Sequence, residues 1–209
     1  MPLVLASGSP RRRQLLGTAG IPLTAIRPPA IPEVRAPGED PVAYARRLAR
    51  EKAGAVDAPG AWVLGADTVV HLDGETYEKP EDAADATRIL SALSGRWHRV
   101  TTAWCLRWGG GPRPAGARDR LSHVTARVRF RALTPEAIAH YVESGEGMDK
   151  AGSYGIQERG VGLIDRVVGS FTCVVGLPMD PVLDALGRVG IRPRPPESRS
   201  SESRSSEGP

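Results

Sequence analysis

Eleven polar residues outside the helix faces carry the chemistry this chain can perform: Ser7, Arg11, Arg12, Glu33, Lys52, Asp67, Thr68, Lys79, Asp149, Lys150 and Gln157. They mix cationic groups with carboxylates. A nucleotide–metal complex calls for both, cations for phosphate oxygens and carboxylates for Mg²⁺ or Mn²⁺ and for a water. The centre of the set is VLGADTVVHLDGETYEKP, residues 63–80, where Val63, Leu64, Val69 and Val70 bracket Asp67. An acid at the end of a buried strand is costly to desolvate unless it meets a cation or another partner. No GxxxxGK[ST] occurs, which excludes a P-loop enzyme. Spacing alone selects no further.

The elements that position these groups follow from local signals. Residues 2–6 form a short apolar strand that runs into SGSPRRRQLLGTAG. Ser9 suits an N-cap and Pro10 the first helical position, so a helix is expected from Pro10 to Gly20. Such a terminus attracts phosphate, and Arg11 and Arg12 in its first turn run against the dipole unless an anion lies there. Two solvated surface arginines are the equal alternative. Asp40-Pro41 opens a second helix that ends near Lys52. Asp-Gly in LDGE predicts a tight hairpin turn, with Lys79 just past the return strand.

Residues 80–95 are expected to form an acid-started helix, 98–108 a strand, 109–120 a flexible loop and 123–133 a strand with one solvated face. Arg127, Arg129 and Arg131 belong to that outer face. Thr134-Pro135-Glu136 starts a further helix, and 145–162 is a glycine-rich loop able to hold binding groups. LIDRVVG and FTCVVGLP are expected to be paired strands, before a last helix over 178–190.

Bulk properties bound the rest. The 209 residues suffice for one substantial domain, assigned to 1–191. Residues 192–209 are rich in Ser, Pro and alternating charge, with too little to bury, and are expected to be a disordered tail. A net charge of +4 invites a nucleic-acid reading, but no Lys/Arg run exceeds Arg11–Arg13 and only 5% of residues are aromatic. Binding of sequence-specific nucleic acid is therefore not expected; an anionic small molecule explains the charge equally well. Cys105 and Cys173 sit in apolar runs as buried free thiols, and the four histidines lack zinc spacing. No apolar run reaches transmembrane length and no leader pattern is evident, so the expectation is a cytoplasmic protein without a membrane partner.

The blocks LASGSPRR, EKA, GADTVV, EKP, LSGRWHRVTTA, MDKAGSYGIQ and VVGLP, in that order, resemble the Maf family of nucleoside triphosphate pyrophosphatases across residues 3–190. The resemblance implies a mixed α/β fold with flanking helices and two lobes around a cleft, similar to the inosine triphosphate pyrophosphatases and often dimeric. It implies hydrolysis of a nucleoside triphosphate between the α and β phosphates, with Asp67 as proton acceptor, Lys52 and Lys79 as catalytic cations, and Asp67 with Glu33 as ligands of Mg²⁺ or Mn²⁺. Ser7, Arg11, Arg12, Thr68, Lys150 and Gln157 fall on its substrate-binding and specificity positions. Thr68, Gln157 and Arg12 resemble the branch acting on dTTP and UTP. The sister branch preferring 7-methyl-GTP carries other residues there. Two alternatives stay open at this point: that sister branch, and a cell-division regulator acting by binding.

Overall fold

The computed structural model describes residues 1–194, and the Ser/Arg/Glu-rich stretch from 195 onward lies outside the described residues. Strand β1 (Leu3–Ala6) leads through the SGS loop into α1 (Pro10–Thr18), where the Ser9 hydroxyl accepts from the Arg12 amide. Strand β2 (Ala25–Ile26) follows, and then α2 (Pro41–Gly54), whose N-cap Asp40 accepts from the amides of Val42 and Ala43. Both helix starts match the cap-plus-proline signal in the sequence.

The long strand β3 (Trp62–Leu72) turns through Asp73 and Gly74, with φ of 53° and 87°, into β4 (Glu75–Tyr77). Two successive positive φ values are what an Asp-Gly hairpin turn requires. Helix α3 (Ala83–Leu93) is capped by Asp82, and β5 (Trp97–Trp108) and β6 (Arg120–Phe130) pair antiparallel. Then come α4 (Pro135–Glu143), 3-10 turns at Ala151–Ser153 and Arg159–Leu163, and β7 (Ile164–Val168). Helices α5 (Phe171–Val175) and α6 (Met179–Arg188) close the fold.

FTCVVGLP is therefore not a strand. Its β-branched composition suggests one, but Ser170 caps a helix there by accepting from the Cys173 amide, and Gly176 (φ 130°) ends it. Cys173 thus lies on a helix; it and Cys105 are buried free thiols.

One mixed seven-stranded sheet runs β2-β1-β3-β5-β6-β7, with β4 added to β3. Helices flank both faces, as the sequence led one to expect of a mixed α/β fold. Strand β1 pairs parallel with β3 as far as Gly65, and β4 pairs with it from Val70 onward. Between those limits, Ala66–Val69 have no neighbour on that edge, although β5 pairs the other edge throughout. This gap divides the molecule into two lobes.

Strand alternation distributes β3 between three buried clusters. Trp62, Leu64 and Ala66 pack with α1 and α6, and Val70 and Leu72 with α3 and α4 on the same face of the sheet. Val63 and Val69 pack against α2 on the opposite face. Gly65 points at α2 as well, and a Cβ there would stand 2.5 Å from Ala53 N and 2.6 Å from Ala49 O. Only glycine lets the helix backbone come so close. No helix among the described residues is long and apolar enough to cross a membrane.

Candidate active site

The gap in the sheet edge opens into a cleft of about 860 Å³ lined from both lobes, within the usual range for small-molecule sites. Asp67 stands at its floor. It lies in the middle of β3 rather than at a strand end, so the open edge, not a terminus, gives it access to the cleft. Asp67 and Thr68 project from opposite faces of the strand and border the same opening.

On the α2 face, Lys52 Nζ lies 2.6 Å from Asp67 Oδ1 and 2.7 Å from Glu33 Oε2. Lys52 and Asp67 are buried, whereas the Glu33 side chain is 44% exposed. The close contact at Gly65 fixes this arrangement, because it seats the last turn of α2 directly beside Asp67. The Tyr44 hydroxyl donates to the Glu33 carbonyl at 2.9 Å and ties the proline-rich loop to α2. Burial, and secondarily Glu78, raises the Tyr44 phenol above its ordinary pKa and keeps it a donor.

On the opposite face, Arg12 is only 8% exposed. Its Nε donates to the Gly176 carbonyl at 2.8 Å, Nη1 to Ser7 Oγ at 3.0 Å and Nη2 to Thr68 Oγ1 at 3.1 Å. Burial lowers its pKa, and Asp67 partly offsets that. Ser7 Oγ also accepts from the Ser9 amide at 3.2 Å. The two arginines of the first turn are thus separated: Arg12 joins Ser7 to Thr68 in the interior, while Arg11 faces the other lobe. Arg11 Nη1 reaches Asp149 Oδ2 at 2.9 Å, and Lys150 Nζ holds the other Asp149 oxygen at 2.6 Å. Partial burial opposes the charge on Asp149, but the bonds from Lys150 and Arg11 outweigh it and hold the carboxyl below its ordinary pKa. Lys79 and Gln157 are exposed on the cleft wall.

All ten residues singled out as catalytic, binding or metal-holding in the sequence line this one cleft. Sequence reasoning missed Thr102 and Gly176. Thr102 lies opposite Thr68 in the β3–β5 register and meets its hydroxyl at 2.9 Å. Gly176 supplies the carbonyl that orients Arg12. Both lie inside blocks that carry the family resemblance, LSGRWHRVTTA and VVGLP, but their partners had no readable signal, since cross-strand register and the backbone path after α5 exist only in the fold.

The lining can bind an anion between Arg11, Lys79 and Lys150 while presenting paired carboxylates and a hydroxyl to the interior. Residues 2–189 match the family described as Maf-like protein. A dTTP/UTP pyrophosphatase of Thermus thermophilus is 48% identical over 195 residues, 92% of this chain and 97% of that protein. A protein of the same description from Anaeromyxobacter dehalogenans is 49% identical over 189 residues, covering 90% and 94% of the two chains. The structure of a HAM1 protein from Coxiella burnetii aligns over 62% of this chain and 73% of that one, with a TM-score of 0.41 and 17% identity.

Proposed function

The chain belongs to the Maf-like family, and we propose that it hydrolyses dTTP and UTP to the nucleoside monophosphate and pyrophosphate. The observation that carries this reading is the buried Asp67–Lys52 pair on the floor of a cleft whose walls carry Arg11, Lys79 and Lys150. The reaction needs a base near a water, and cations for a triphosphate. The names of the relatives supply the nucleotide class.

A divalent cation is part of the proposal. Asp67 Oδ1 and Glu33 Oε2 lie 2.6 Å and 2.7 Å from the same Lys52 ammonium, so two hard oxygen donors stand close to one another at the cleft, beside that cation. No cluster of three metal-ligating side chains occurs among the described residues. Mg²⁺ suits such a sparse set, because it keeps several waters and takes substrate phosphates as ligands. The residues fit, with Asp67 and Glu33 as holders. When bound, the ion would polarise a phosphoryl oxygen and make a water more acidic.

The chain's own groups then divide the work. The carboxylate of Asp67 accepts the proton of a water whose oxygen attacks the α-phosphorus, and the bond from that phosphorus to the α–β bridging oxygen breaks. Lys52 keeps the carboxylate oriented and, with Lys79, offsets charge that grows on the phosphoryl oxygens and the departing pyrophosphate. Arg11 and Lys150 exchange Asp149 for phosphate oxygens. Arg12, buried between Ser7 and Thr68, acts on the base side with Thr68 and Gln157 rather than as a free phosphate clamp.

Two finer points stay with the proposal. A homodimer draws support from the edge strand β7, where Val168 and the nearby Phe171 are exposed. A cytoplasmic site of action fits an enzyme that consumes nucleoside triphosphates. The test of the reading is pyrophosphate release from dTTP, UTP, CTP, ATP, GTP and 7-methyl-GTP with Mg²⁺ or Mn²⁺. Preference for dTTP and UTP supports it; preference for 7-methyl-GTP, or no turnover of any nucleotide, overturns it.

A further inference from the structure

A run of hydroxyls crosses the sheet behind the cleft wall. Arg12 Nη2 donates to Thr68 Oγ1 at 3.1 Å, Thr68 Oγ1 lies 2.9 Å from Thr102 Oγ1, and Thr102 Oγ1 lies 2.7 Å from the Cys173 carbonyl oxygen. Thr102 is wholly buried, so it has no water to turn to.

The two ends of this run fix the direction of every proton in it. A guanidinium only donates, and a carbonyl only accepts. The Thr102 proton therefore goes to Cys173, and Thr102 Oγ1 is left to accept from Thr68. Thr68 has then spent its single proton on Thr102 and one lone pair on Arg12. What it can still present to the cleft it lines is the second lone pair.

We propose that Thr102 is a positioning residue that makes Thr68 an acceptor-only contact, so that the site selects pyrimidines carrying a hydrogen on ring nitrogen N3. The imide edge of uracil and thymine offers that N–H. Cytosine presents a bare lone pair at the same atom and meets the Thr68 lone pair head on. Arg12 is the natural complement, since its bonds to Gly176, Ser7 and Thr68 leave guanidinium N–H groups for a flanking carbonyl oxygen. A site built this way leaves a buried polar group unmatched by the wrong base. The inference rests on the functional reading above and names which pyrimidine edge that site accepts.

The test is kcat and KM for UTP and CTP with wild-type protein, Thr102→Val and Thr102→Ser. Valine is nearly the shape of threonine, and the Cys173 carbonyl keeps its second donor, the Gly176 amide at 3.1 Å. Without the acceptor on Thr102, the Thr68 hydroxyl is free to turn and donate to cytosine. The UTP-over-CTP ratio of kcat/KM should then fall roughly tenfold, the worth of about one hydrogen bond. The change should lie in KM, with kcat for UTP close to wild type, and Thr102→Ser should restore the ratio.

Equal losses with both nucleotides, an unchanged ratio, or a serine variant that behaves like valine would each overturn the inference. So would a wild-type enzyme that takes CTP as readily as UTP. Absence of UTP turnover by the wild type would remove the functional reading itself, which separates that failure from the others. Thr102→Ala removes the same acceptor should the valine variant not fold.

Discussion

Lys52 Nζ and Asp67 Oδ1 meet at 2.6 Å across the seam between α2 and β3, both side chains withdrawn from solvent. Neither is stable there alone, because a buried charge that loses its partner is left uncompensated. The contact exists because glycine at position 65 lets the helix backbone close on the strand. It leaves Asp67 beside a cation, at the one stretch of β3 where the edge of the sheet is open. The proposed catalytic geometry and the helix–sheet packing are one feature here.

Lys52→Met should cost about 3 kcal/mol of stability, the penalty for breaking a buried pair. Asp67 and Glu33 would then share a point with no cation between them, and Mg²⁺ should restore part of the loss. Urea unfolding with and without MgCl₂ measures this. An Mg²⁺ stabilisation no larger in the variant than in the wild type would refute the shared-point arrangement.

Gly65→Ala places a methyl group 2.5 Å from Ala53 N and 2.6 Å from Ala49 O, where only backbone can yield. Overpacking of this kind costs about 1–3 kcal/mol. Because α2 must retreat, Lys52 moves off Asp67, and activity should fall more than stability does. Thermal unfolding and kcat/KM of the same variant check both, and full activity in a destabilised variant would uncouple them.

A third expectation concerns pH. His98 is buried, with Nε2 2.8 Å from the Tyr154 hydroxyl and Phe130 and Tyr154 edge-on to its ring. Burial, with a smaller contribution from His71, pushes its pKa down to about 3. The unfolded chain binds the proton near the ordinary imidazole value, so between the two values it holds more protons than the folded one. Stability is therefore complete above about pH 6.5 and declines as pH falls toward 3, by up to about 1.4 kcal/mol per pH unit from this group. Burial lowers His71 and His123 as well, so their contributions have the same sign. Replacing His98 with Gln should make the slope shallower by about one proton in unfolding titrations between about pH 7 and pH 4. An unchanged slope would show that His98 is protonated in the folded state.

The fold was readable wherever a local signal decides structure. Ser9-Pro10 and Asp40-Pro41 announced their helices, and Asp73-Gly74 its turn, because caps and positive-φ positions act within a few residues. Residues 171–175 were misleading for the same reason: Phe-Thr-Cys-Val-Val has strand composition, and the Ser170 cap with the contacts of α5 to β5 and β6 overrides it. The residues of the site were legible as motifs, but their partnerships were not. Arg11 and Arg12 are neighbours in sequence, yet one faces solvent and Asp149 while the other is sealed against Thr68 and Gly176. Thr102 lay within the LSGRWHRVTTA block, but nothing there pointed to its proposed role, which depends on being opposite Thr68 across two antiparallel strands.

The most direct test of the account is pyrophosphate release from UTP and dTTP by Asp67→Asn. The amide keeps the shape of the side chain and can no longer take a proton from water, so turnover should fall by roughly 10²–10⁴-fold. Cooperative unfolding should persist, showing that the fold survives. Turnover close to that of the wild type, in a folded variant, would contradict the assignment of Asp67 as the base.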